Sequence, residues 1–349
     1  MTDRAKAEGL GMRYDFGSDN TAGMAPAALQ GVIDANTGYA RAYGADETTQ
    51  RAADQIRQRL DADAEIRFVF SGTAANAIAL SMLAFPFEAV LAHHAAHVCT
   101  DETGAPGFFG QGLGLIGLPG LSGKIDRSAL EAALAEPVVG HRQPAAALSL
   151  TQSTEYGTVY TEEELRHLIE PVKALGYGVH LDGARLANAA AAGFDLTQIP
   201  RLGVDILVFG GAKAGANGTE AIVLFDTSLA RRLDNRLKQA GQTASKGRFL
   251  AAPFLGLLES NAWEDGAAHA NLMAQRLADG IEARSPFTLA HPVEANAVFG
   301  RMPDAAHQRL NELGWACYRF DDGSVRFVCS WATEVEAVDE VIEAISGLS

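Results

Sequence analysis

Cysteine is scarce, with Cys99, Cys317 and Cys329 the three in 349 residues. They lack both the paired spacing of a zinc site and the density of a secreted disulfide framework, so a reducing compartment is expected. Positive charge is also scarce: 28 Lys and Arg against 43 Asp and Glu leave a net charge of -15. That balance repels polyanions and offers no broad footprint for nucleic acid or an anionic membrane, so any anion must be gripped locally. No segment reaches the ~18 uninterrupted apolar residues of a membrane span, and the opening MTDRAKAEGL has no apolar run of signal-peptide character. These absences predict a cytoplasmic protein. Internal repeats, low-complexity blocks and a Pro- or Ser-rich linker are missing too.

What is present is enough apolar residue, 48% of the chain, to bury a substantial core and to divide it between two domains. Short apolar, β-branched runs at Ile66–Phe70, Ala89–Ala92, Ala145–Leu150, Gly178–Leu181, Asp205–Phe209 and Ala221–Phe225 alternate with amphipathic stretches. Ala74–Ala84, Glu162–Ala174 and Ala230–Ala240 read as helices, the second opening on three carboxylates and the third carrying Arg and Lys toward its end. Such alternation predicts an α/β fold with a mostly parallel sheet flanked by helices. Beyond about residue 250 one long helical stretch, Ala251–Arg284, leads to strands near Phe287–Ala290, Ala297–Arg301, Trp315–Phe320 and Ser324–Cys329, then a closing helix over Glu334–Ile345. This pattern predicts a smaller C-terminal α+β domain. The expected division is an N-terminal segment 1–40 that contributes to the active site, a large domain over 41–250 and a small one over 251–349.

Chemistry gathers where apolar strands end. GYGVHLDGARLANA places Asp182 just past a strand, at the carboxyl edge where open α/β sheets bind ligands. Alone, Asp182 reads equally well as a cap on the following helix. In DILVFGGAKAGANG, Lys213 follows another strand among small residues that let a planar group approach the backbone, although a lone lysine there is more often a solvated surface residue. The pair changes the balance. An Asp and a Lys at the ends of successive buried strands supply what a pyridoxal ring requires, a carboxylate to keep the ring nitrogen protonated and an amine to form an imine with the aldehyde. FVFSGTAANAIALSML adds a strand–turn–helix junction at Ser71-Gly72-Thr73, where backbone N–H groups, the helix dipole and the Thr73 hydroxyl suit a phosphate.

In this order the three pieces resemble fold-type-I pyridoxal-phosphate enzymes, and five blocks of sequence resemble the low-specificity L-threonine aldolases of the β-eliminating lyase group. DFGSDNTAG, YGADETT, HAAHVCTDETGAP, HLDGARLANA and VRFVCSW carry the likeness over nearly the whole chain. The resemblance implies an aspartate-aminotransferase-like large domain with bound pyridoxal 5'-phosphate and an amino-acid substrate. It further implies that His97 lies over the pyridoxal ring, that Gly72 and Thr73 hold the phosphate and that Asp182 pairs with the ring nitrogen. Lys213 then carries the cofactor, while Ser18, Arg185 and Arg326 receive the substrate carboxylate or orient the ring. Lys238, in RLKQAG, stands where the family has a cation near the phosphate, reaching a neighbouring subunit's site in a homo-oligomer, a dimer or tetramer with shared active sites.

The chain departs from that family at two places. Ala212 precedes the lysine where a hydroxyl residue is common, and SLTQSTEYGTVY puts Gln152 and Glu155 where many members carry a histidine. The implied reaction is reversible cleavage of L-threonine, L-allo-threonine and related β-hydroxy-α-amino acids to glycine and an aldehyde. His97 is the first choice of base on the β-hydroxyl, with Glu102 and Glu155 in reserve. Two alternatives stand beside this reading: another pyridoxal-phosphate β-eliminating lyase or transaminase, and a non-catalytic α/β binding protein.

Overall fold

The computed structural model describes residues 13–320 and 322–348. The opening segment read above for a signal lies outside them. The strands, in chain order, are β1 (Tyr14–Asp15), β2 (Glu65–Val69), β3 (Ala89–His93), β4 (Gly114–Leu118), β5 (Ala145–Thr151), β6 (Gly178–Gly183), β7 (Ile206–Phe209), β8 (Glu220–Leu224), β9 (Thr288–Leu289), β10 (Ala297–Arg301), β11 (Trp315–Ala316), β12 (Tyr318–Arg319) and β13 (Val325–Val328). Among the described residues, seven of them form one sheet in the order β2-β8-β7-β6-β5-β3-β4. Only β8 runs antiparallel to its neighbours. β7 and β8 are buried along their whole length, which is why Ile206–Phe209 reads as a continuous apolar run rather than an alternating one.

All six strands expected before residue 250 lie in this sheet. The seventh, β4, is an edge strand with two glycines and two exposed positions, so its sequence carries neither an apolar run nor a clean alternation. Local chemistry fixes the helix starts. Ser71 accepts the Ala74 N–H to open the helix Gly72–Leu83, and a reciprocal capping box between Thr161 and Glu164 opens Glu162–Ala174.

The expected helical stretch over 251–284 is corrected to two helices, Arg248–Glu259 and Ala262–Arg284, broken at Asn261, whose φ of 59° is left-handed. The first packs on Pro26–Ala35 and Glu47–Leu60, and its Ala251, Phe254 and Leu257 belong to the larger core. The second packs on the closing helix Val335–Ser346, where Leu277, Ile281, Val338, Val341, Val298 and Phe327 make a second core under the antiparallel sheet β12-β13-β10-β9. The expected strand over 315–320 is likewise two short pieces. β12 joins that sheet, whereas β11 pairs in parallel with β1, stitching the start of the described chain to its end. A partner some 300 residues away leaves no mark on local sequence.

Candidate active site

Five loops leave the carboxyl ends of β2, β3, β5, β6 and β7, and Gly72, Thr73, His97, Gln152, Glu155, Asp182, Arg185 and Lys213 sit at or just beyond these strand ends, whereas Ser18, Lys238 and Arg326 lie on other elements. Asp182 is buried near the end of β6; its Oδ1 accepts the Ala184 N–H at 2.9 Å and its Oδ2 accepts from Asn76 Nδ2 at 2.8 Å. It does not cap the next helix, whose N-cap is Arg185. Burial opposes ionisation of Asp182, yet the fields of His180, Lys213 and His97 hold its carboxyl below the usual range. Burial pushes His180 itself down to about 4.

Lys213 is half-buried after β7 and makes no salt bridge within 4.0 Å among the described residues. The glycines before it are close-packed: a Cβ at Gly210 would run into the Ala184 carbonyl oxygen. At the β2–helix junction Ser71 takes the Ala74 N–H, and a Cβ on Gly72 would meet nothing nearer than Glu220 Oε1 at 4.0 Å. The Cβ side of Gly72 is therefore open, which leaves room for an anion to approach this helix N-terminus.

Of the clustered histidines, His93 and His94 bond to the carbonyls of Gly120 and Leu118. His97 turns instead toward the site, its Nδ1 2.9 Å from Glu102 Oε1, and Asn76 Nδ2 donates to that same oxygen at 2.8 Å. The bond to Glu102 raises the His97 pKa against the opposing effect of burial. Asn76 thus ties the His97–Glu102 pair to Asp182.

Arg185 is buried and gripped in a two-pronged bond by Asp19, Nε to Oδ2 at 2.7 Å and a terminal nitrogen to Oδ1 at 3.0 Å. Glu155 Oε2 lies 3.9 Å from its other terminal nitrogen. Asn296 Nδ2 also donates to Asp19 at 3.1 Å. Ser18, beside Asp19, caps a short turn by accepting the Asn20 N–H. Arg326, on β13, donates to the Gly17 carbonyl at 3.1 Å and lies over the Phe320 ring, but its buried Nε has no partner among the described residues. Burial, then the charge of Arg185, lowers the Arg326 pKa. Gln152 is structural, exchanging two hydrogen bonds with the Tyr160 backbone.

Lys238 stands apart. Its Nζ lies 5.0 Å over the Tyr43 ring, in a cavity of about 580 Å³ lined also by Thr49, Phe68, Asp234 and Gln242 and by none of the other predicted site residues. Sequence reading missed Asp19, Asn76, Glu220 and Asn296. The signal for two of them was a polar residue in an apolar element: Asn76 within AANAIAL and Glu220 heading EAIVL.

A carboxylate held ionised, a free lysine and an open helix N-terminus on one sheet edge fit pyridoxal phosphate, and the unpartnered Arg326 Nε fits a carboxylate beside it. The fold and site define a pyridoxal-phosphate enzyme of the aspartate-aminotransferase-like class. An aspartate aminotransferase variant of Thermus thermophilus shares the fold, at TM-score 0.73 and 18% identity over 97% of this chain and 92% of that one. The chain belongs to the beta-eliminating lyase family, whose profile matches residues 15–305. It is 42% identical to the low specificity L-threonine aldolase of Pseudomonas aeruginosa over 95% of this chain and 96% of that protein. The corresponding enzyme of a Pseudomonas species is 43% identical over 98% and 97%. A threonine aldolase structure from Leishmania major superposes with TM-score 0.89 at 32% identity, covering 95% of this chain and 98% of that one. The protein is accordingly a carbon–carbon lyase.

Proposed function

We propose that this protein cleaves L-threonine, L-allo-threonine and related β-hydroxy-α-amino acids reversibly into glycine and an aldehyde. The observation that carries the reading is a buried Asp182 and a half-buried His97 in the field of one unpaired lysine, with a half-buried Arg326 whose Nε is left unbonded. Bound pyridoxal phosphate supplies the electron sink for the breaking Cα–Cβ bond. Lys213 holds the cofactor covalently, Gly72 and Thr73 hold its phosphate, and Asp182 keeps its ring nitrogen protonated. Arg326 receives the substrate carboxylate, and so fixes which bond at Cα stands ready to break. Arg185, already paired with Asp19, orients this arginine face rather than binding substrate alone. His97 covers the ring and takes the β-hydroxyl proton, made more basic by Glu102.

The segment 1–40 contributes Ser18 and Asp19 to the site, the cofactor-binding domain runs from 41 past the expected boundary at 250 to take in the helix Arg248–Glu259, and the remainder forms the small domain that brings Arg326. Leu29, Ile33, Tyr39 and Tyr43 are exposed, and Lys238 lies over the last of them, which supports a homo-oligomer in which Lys238 approaches a neighbouring site. No helix among the described residues is long and apolar enough to cross a membrane, and the three cysteines are free, which favours the cytoplasm.

The direct test is Lys213→Ala. The variant should lose the visible absorbance of bound cofactor and lower glycine and aldehyde release from threonine by several orders of magnitude. Wild-type absorbance and turnover in Lys213→Ala would overturn the assignment.

A further inference from the structure

Glu220 is a buried site acid to which the reaction above gives no task. It opens β8 opposite Val69, the last residue of β2, whose chain continues into Ser71-Gly72-Thr73. That register sets the side chain beneath the phosphate turn. Its Oε2 accepts the Gly211 N–H at 2.7 Å, two residues before Lys213, while its Oε1 is the nearest atom to a Cβ built on Gly72, at 4.0 Å. One carboxyl therefore spans the lysine loop and the open helix N-terminus. It is 4% exposed, with no salt-bridge partner among the described residues. The charged groups that face it are Lys213, which favours its ionisation, and Asp182, which opposes it; the backbone N–H groups of Gly211 and Ala212 add two favourable dipoles.

We propose that Glu220 is a proton-taking part of the phosphate subsite, neutral when the cofactor is bound and donating its O–H to a phosphate oxygen while its other oxygen keeps the Gly211 N–H. This rests on the phosphate site at Gly72 and Thr73 proposed above. A buried carboxylate without a cation is costly, and a phosphate set beside it adds a like charge that disfavours ionisation further. Without the cofactor, burial has already pushed Glu220 up to about 7. Protonation turns an acceptor-only group into a donor, exchanging repulsion for a hydrogen bond where Ala212 supplies none. The sign follows: the neutral form binds phosphate, so cofactor affinity is full below pH 7 and falls as pH rises through the Glu220 pKa of the cofactor-free protein.

The test compares pyridoxal phosphate with phosphate-free pyridoxal on cofactor-stripped wild type and Glu220→Gln, whose amide mimics the neutral acid in shape and keeps a donor. From pH 7 to pH 8.5 the wild-type Kd for pyridoxal phosphate should rise about tenfold, as one linked proton requires, and the Glu220→Gln Kd should stay within twofold. Pyridoxal should show equal pH dependence in both proteins. An equal slope for pyridoxal phosphate in both proteins overturns the proposal, and so does a wild-type to variant difference that pyridoxal reproduces, since Glu220 would then act on Lys213. Calorimetry of the wild type alone gives a second reading that needs no variant to fold. Binding of pyridoxal phosphate at pH 8 should take up close to one proton more than binding of pyridoxal, and no excess uptake overturns the proposal. Failure of the parent reading looks different: neither compound then binds the wild type in a way that Lys213→Ala abolishes.

Discussion

At the scale of single residues, the site is a set of buried and half-buried charges whose hydrogen-bonding capacity is unevenly filled. Arg185 and Arg326 show the contrast. Asp19 uses both prongs of the Arg185 fork, whereas Arg326 spends one nitrogen on the Gly17 carbonyl and leaves Nε unbonded. If Arg326 grips the substrate carboxylate, Arg326→Lys replaces a planar fork with a point charge and loses a charge-assisted bond, about 1.5–3 kcal/mol or roughly ten- to a hundredfold. Both KM and kcat should suffer, because a loosely held carboxylate also lets the scissile bond rotate. Steady-state kinetics on threonine and allo-threonine check this, with cofactor absorbance expected to remain. Parameters within twofold of wild type for both substrates would remove Arg326 from the mechanism.

At the scale of elements, the helix Arg248–Glu259 belongs to the first core although its sequence runs on toward the small domain. It crosses Pro26–Ala35 so closely that a Cβ on Gly31 would enter the Ala252 carbonyl oxygen. Two effects therefore compete in Gly31→Ala. Helix propensity favours alanine by about 0.5–1 kcal/mol, whereas overpacking a tight contact costs about 1–3 kcal/mol. Overpacking involves backbone on one side and has no flexible side chain to yield, so it should win. Chemical denaturation should show a net loss of about 1–2 kcal/mol; a gain in stability would mean that the two helices slide apart at little cost. The neighbouring break at Asn261 belongs to the same scale: one left-handed residue redirects an otherwise continuous helical pattern into the second core.

At the scale of the whole molecule, Leu29, Ile33, Tyr39 and Tyr43 form an exposed apolar stretch on a chain whose net charge of -15 keeps most of its surface polar. The proposed homo-oligomer covers it. Ile33→Asp should shift sedimentation from dimer or tetramer toward monomer and reduce turnover along with it, since Lys238 lies over Tyr43 at the end of that stretch. A wild type that sediments as a monomer at full activity would refute shared sites.

How much of this was legible in sequence varied with the range of the interaction. The turn at Ser71–Thr73, Asp182 and Lys213 could be read because each follows an apolar strand within a few residues, and strand ends are where such sheets bind ligands. His97 was found among three neighbouring histidines through the resemblance; the structure separates it from His93 and His94 by which of them bonds to a carboxylate. Asp19 was passed over for Ser18, because its grip on Arg185 spans 166 positions.

The sequence by itself determined the layered α/β architecture and the order of the main elements, and it marked the residues proposed to hold the cofactor. Those depend on hydrophobic periodicity, capping and strand ends, which act over short stretches of chain. Tertiary structure alone decided the pairing of β1 with β11, the break at Asn261, the Asn76 link between Glu102 and Asp182 and the place of Glu220 under the phosphate turn. Each of these joins groups far apart in the chain, and burial, which sets their charge states, exists only once the chain has closed around them.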